Sequence, residues 1–226
     1  MKKDLKTTFF LLKHAPKMKL QIGFVIFFIA FGIFYDIVSH GGTAVGGMYL
    51  TIPVTLFLQM LLGTNLSGLI QSSTVRKKTQ TYYPMLLIVP YLMIVYTVLT
   101  VCHLFWAFDS EQYFRYASNA AIQGRYILFL GILNFIMVAY LSIANKVFYL
   151  GLVLFLVSVF PPMMLAQSRY TPRIFAFCEA SLLRCVLLGY LFTILGCVVL
   201  YLFINLLYKK DVHPMAMKSL TRNYIK

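Results

Sequence analysis

The sequence predicts an all-α membrane protein with six transmembrane helices and both termini inside. An N-terminal amphipathic interfacial helix precedes the spans, and a re-entrant outer segment comes before the last of them. Three observations predict this. Of the 226 residues, 61% are hydrophobic and 12% charged, about half the charge of an ordinary soluble domain, so polar surface is too scarce to coat a water-soluble globule. The apolar residues fall in continuous Leu-, Ile-, Phe- and Val-rich runs, without the strict alternation of barrel strands. The cations gather in connections that one threading of the bilayer places on a single side.

The elements follow in chain order. Residues Asp4–Ala15 place Leu5, Phe9 and Leu12 at helical spacing, with Lys6 and Lys13 on a basic side and Phe10 and Leu11 widening the apolar face. This is the pattern of a helix lying in the membrane interface, as a passive anchor or as a lever that moves with the bundle. Pro16 ends it, so 1–19 forms an elbow. A span needs about 20 apolar residues. The apolar runs place spans at 20–38, 48–70, 85–108, 126–144, 147–160 and 182–208. The Gly-rich stretch 40–47 reads as a flexible outer hairpin. Pro161-Pro162 is expected to stop the fifth span, because proline removes a backbone donor and clashes with the preceding turn. Residues 161–181 are too polar to cross and too apolar for a free loop, so they are expected to form a broken outer segment packed between helices.

Orientation comes from the cations. Of 20 Lys and Arg residues, only Arg115, Arg125, Arg169, Arg173 and Arg184 fall outside when the N-terminus is inside. The acids lean the other way, with Asp36, Asp109, Glu111 and Glu179 outside and Asp4 and Asp211 inside. This is the positive-inside bias. The net charge of +14 thus reads as contact with anionic headgroups. No aromatic-basic platform or base-reading motif supports nucleic-acid binding.

The loop 71–84 is the longest inner connection and carries Arg76-Lys77-Lys78 among hydroxyls and amides. Two readings stand: a cation cluster that fixes topology, or a docking knob for a cytosolic partner. Its candidate contact residues are Gln71, Ser72, Thr74, Arg76, Lys77, Lys78 and Gln80. The amides Gln59, Asn65, Asn134 and Asn205 lie within apolar runs, where an unpaired amide is costly. They are expected to face other helices or a transport path.

Several chemistries are missing. There is no GxxxxGK[ST] phosphate loop, no HExxH and no pair of intramembrane carboxylates. The histidines His14, His40, His103 and His213 are scattered, and His103 reads as a structural residue. Cys102, Cys178, Cys185 and Cys197 lack CxxC spacing and read as small hydrophobes. No catalytic residue, metal site or bound cofactor is expected in this chain.

Together, the elbow Asp4–Ala15, the six spans, the basic loop Gln71–Pro84, the near-absent loop at Lys146 and the broken segment Pro161–Ser181 resemble the permease subunit of type-2 ABC exporters, the ABC-2 family. The resemblance covers nearly the whole chain and rests on topology. It implies that Gln71–Thr81 is a coupling helix docking on a separate P-loop ATPase. It also implies that two permease subunits work with two ATPase subunits, as a homodimer or with a paralogue. ATP and magnesium would belong to the partner. The short outer loops favour a peptide or an amphipathic, lipid-like cargo, moved outward across the cytoplasmic membrane of a bacterial cell. The alternatives are an ATP-independent channel or carrier, an accessory or scaffold membrane protein, or an intramembrane enzyme.

Overall fold

In the computed structural model, residues 2–15, 17–64, 74, 76–108, 118–144, 146–167, 181–211 and 213 are described. Their regular elements are all helical: α1 (Lys2–Lys13), α2 (Met18–Val38), α3 (Val45–Thr64), α4 (Arg76–Gln80), α5 (Tyr82–Ala107), α6 (Asn119–Ala144), α7 (Phe148–Gln167) and α8 (Leu182–Leu207). Four candidate spans are long and apolar enough to cross a membrane: Met18–Val38, Arg76–Ala107, Asn119–Ala144 and Leu182–Leu207. The apolar parts of α3 and α7, Val45–Leu61 and Tyr149–Pro161, are shorter. Such helices fit a membrane-embedded protein, and their outer faces agree. Phe34 on α2, Val157 on α7 and Leu183 on α8 are all exposed, as lipid-facing residues should be.

The helices run up and down between two ends. Lys77 of α4 sits over the ring of Tyr208, just past α8. Lys146 donates to the Lys210 carbonyl. Leu12 and Ala15 pack with Val25, Met60 and Leu61. These contacts gather the basic residues at one end, called here the basic end. Asp36, the Gly41-Gly42 turn, His103 and Gln123 meet at the opposite, far end.

Helix α6 is the axis. Residues buried inside the protein make up 72% of its apolar window, against 17–28% for the other three long helices. Its closest neighbour is α8. A Cβ on Gly131 would stand 2.5 Å from the Gly189 Cα and carbonyl oxygen, so the two backbones touch. Without a strong hydrophobic drive in lipid, small residues at such a seam let dispersion do the joining. Tyr96 of α5 leans on the same place: its hydroxyl donates to the Ile127 carbonyl and lies against Gly189. Helix α2, in contrast, packs chiefly on α3.

Three elements depart from the sequence reading. Helix α7 does not stop at Pro161-Pro162 but continues to Gln167. Unwinding in an apolar medium would free more backbone groups than proline forfeits, and Pro53 and Pro90 likewise sit inside α3 and α5. Helix α6 begins at Asn119, well before Tyr126, because Asn119, Gln123 and Arg125 are buried by the protein and not immersed in lipid. On α1, Thr8 and Leu12 face the bundle, whereas Leu5, Phe9 and Phe10 point outward. The helix thus has one face on protein and a second apolar face open. Most of the expected broken segment, from 168 on, and residues 65–73 lie outside the described residues.

Candidate functional site

Two polar clusters stand out, one at each end of the bundle.

At the basic end, α4 is a single turn-and-a-half of helix joined to α5 through Thr81. Its hydroxyls serve the local backbone: Thr79 Oγ1 donates to the Arg76 carbonyl at 2.8 Å, and Thr81 Oγ1 to that of Lys77 at 2.7 Å. Thr79 and Thr81 are buried, so α4 has a face seated on the bundle. Lys77, Lys78 and Thr74 are exposed, while Arg76 and Gln80 are half-buried. The Lys77 ammonium lies 5.3 Å from the centre of the Tyr208 ring, a cation–π contact that ties α4 to the end of α8. Beneath α4 is a small cavity of about 30 Å³ lined by Gln80, Ser142, Lys146, Tyr208 and apolar neighbours. Burial pulls the Lys146 ammonium below the ordinary lysine range; Asp211 opposes that shift and Arg76 adds to it. Gln71 and Ser72 fall outside the described residues.

The expected path residues do not converge. Asn134 is 3% exposed and sits in the α6–α8 seam, its amide 3.5 Å from Thr193 Oγ1. Asn205 donates to the Tyr201 carbonyl of its own helix at 2.8 Å. Gln59 is exposed, and Asn65 lies outside the described residues. An apolar cleft of about 350 Å³ opens elsewhere, between Met48, Tyr49 and Ile52 of α3, Leu133 and Met137 of α6, and Phe155 and Met163 of α7.

The far end holds the cluster that sequence reading missed. Helix α2 closes with a Schellman motif: Gly41 N–H donates to the Asp36 carbonyl and His40 N–H to that of Ile37, both at 3.0 Å. The motif needs a left-handed residue after the helix, which His40 supplies at φ 47°, and Gly41 follows at φ 61°. Gly41 lies flat against Trp106 and Gln123, where a side chain has no room. The turn then offers its carbonyls inward. Gln123 Nε2 donates to Gly41 O at 3.2 Å, and Tyr126 OH to Gly42 O at 2.9 Å. The expected flexible hairpin is therefore pinned to α6.

Gln123 Oε1 meets His103 Nδ1 of α5 in a short hydrogen bond. The other ring nitrogen, Nε2, lies 3.9 Å from Asp36 Oδ1. Both residues are nearly sealed, at 0% and 3% exposure. A buried ionisable pair in a membrane bundle is expensive and marks function more often than packing. Asp36 and His103 stand 67 positions apart, and nothing in the sequence pairs them. The one available signal was an acid and a histidine, each inside an apolar run.

Among the described residues, no group of three or more metal-binding side chains comes together. No protein-family model, curated protein or solved structure matches this chain.

Proposed function

We propose that this chain is the transmembrane permease subunit of an exporter driven by a separate nucleotide-binding subunit. The carrying observation is α4: a short cationic helix with one face seated on the bundle through the buried Thr79, and with Lys77 and Lys78 exposed. It joins directly to α5 and is tied to α8. A push on such a helix reaches two long helices at once. In this reading six helices span the bilayer, the basic end faces the cytoplasm, and two copies or two paralogues pair. The cleft between α3 and α7 borders the path, and its apolar lining suits a peptide or an amphipathic, lipid-like cargo. Chemistry stays with the ATPase, which holds ATP and magnesium. This chain contributes contacts that differ between two states, the only means by which binding can drive a conformational change.

The test is assembly. Co-expressed with a candidate P-loop ATPase, the wild-type chain is expected to co-purify with it and to stimulate ATP hydrolysis. Replacement of Arg76, Lys77 and Lys78 by Glu is expected to abolish both. A triple variant that still assembles and stimulates hydrolysis overturns the docking role of α4.

A second reading, an ATP-independent carrier, is favoured by one observation, the buried Asp36–His103 pair. Cargo flux in proteoliposomes that hold this chain alone, driven by a proton gradient, would select it.

A further inference from the structure

We propose that Asp36 and His103 form a proton-binding site whose single proton pins the far end of α2 to α5 and α6. The inference stands on the hydrogen-bond geometry alone and holds for either transport reading.

The tautomer of His103 follows from its neighbour. Gln123 Nε2 donates to the Gly41 carbonyl; the reversed amide would set Oε1 against that oxygen, acceptor on acceptor. Oε1 therefore faces His103, and Nδ1 must carry the hydrogen that joins them. Nε2 is then the remaining place on the ring for a proton. It faces Asp36 Oδ1 across 3.9 Å, and neither atom has a hydrogen-bond partner among the described residues. Without a proton, two lone pairs and a buried negative charge oppose each other. With one, the pair is neutral overall: a carboxylic acid donates to Nε2, or an imidazolium faces a carboxylate. A second proton leaves a buried cation. The gap exceeds a hydrogen bond by about 1 Å, a distance that rotation of the Asp36 side chain or one water closes.

Among the described residues, the surroundings do not supply the missing donor. Cys102 on α5 lies within electrostatic reach of Asp36. On α6, the Tyr126 ring is 6.2 Å from that of His103, and Arg125 acts on Tyr126. His40 stands in the turn, and α3 sets Gly46 against Asp36. Helix α2 leans chiefly on α3, so this pair and the adjoining turn are its polar link to the core. Loss of the proton opens the Asp36–His103 part of that link and leaves the turn held by Gln123 and Tyr126.

The sign follows from linkage. Where the folded pair holds a proton that the unfolded chain has released, stability falls as pH rises. The full-length chain in lipid nanodiscs is melted from about pH 5 to about pH 9. Wild type is expected to lose about 5 °C of midpoint towards alkali. Asp36→Asn, whose amide donates to Nε2 without titrating, is expected to lose that alkaline limb. A flat wild-type profile, or an alkaline limb unchanged in Asp36→Asn, overturns the proposal. Imidazole ¹⁵N spectra supply a second readout on wild type alone. Cys102-His103 is the chain's one Cys-His step, so paired carbonyl and nitrogen labelling assigns the ring. At neutral pH His103 is expected as the Nδ1–H tautomer or as imidazolium, and a neutral Nε2–H ring overturns the proposal even if Asp36→Asn does not fold.

Discussion

At the basic end, the α4 cations stay outside: Lys77 and Lys78 are exposed, above a small cavity lined by Gln80, Ser142, the half-buried Lys146 and Tyr208. At the far end, charge is inside: Asp36 and His103 are sealed, and the joints are hydrogen bonds from α6 to a glycine turn. The basic end can therefore gain or lose a partner at little internal cost. The far end cannot change one member without orphaning another. A bundle built this way presents an adaptable surface on one side and a rigid, titratable clasp on the other.

The largest expected break is at the clasp. Gly41→Val forces a β-branched residue into a left-handed conformation, against Trp106 and Gln123. The strain and overlap together are expected to cost about 3–5 kcal/mol, read as loss of folded protein by size-exclusion in detergent. Next is Gln123→Ala, which leaves the Gly41 carbonyl and His103 Nδ1–H unpaired. Two orphaned buried groups are expected to cost about 2–4 kcal/mol, and the His103 nitrogen spectrum should lose its fixed tautomer.

At the basic end, Lys146→Met sharpens the contrast through pH. Half burial holds the Lys146 pKa below its unfolded value. The penalty is therefore present below the folded pKa and is relieved as pH rises through it towards the unfolded value of about 10. The stability gained by Lys146→Met over wild type should shrink in alkali, the opposite slope to that proposed for the far end; paired melting curves check it. The smallest structural effect is expected from Lys77→Ala, under about 1 kcal/mol, since an exposed cation–π contact is weak. Its effect on ATPase co-purification should exceed its effect on melting. Equal effects would make Lys77 a structural residue only.

Long apolar runs were legible because lipid imposes one requirement on every residue. The expected spans 20–38, 85–108 and 182–208 match α2, α5 and α8 within a few residues. The sequence was misleading where protein replaces lipid as solvent. Asn119, Gln123 and Arg125 read as residues beyond a span, yet they are buried within α6. Asn134 was expected to face another helix or a path, and its amide meets Thr193 in the α6–α8 seam. The cationic stretch at 76–78 was legible because three adjacent cations stand out against apolar runs, and Lys77 and Lys78 are exposed. The Asp36–His103 pair was not, because its partners meet only through the packing of three helices.

The touching backbones of Gly131 and Gly189 bear on how this molecule can move. With no side chains between them to rotate or slide, α6 and α8 cannot shear past each other without steric overlap. They are the fixed pair of this bundle. Displacement must then fall to the parts joined by softer contacts: the α2–α3 hairpin, held at its tip by a proton-sized latch, and α7 across the open cleft.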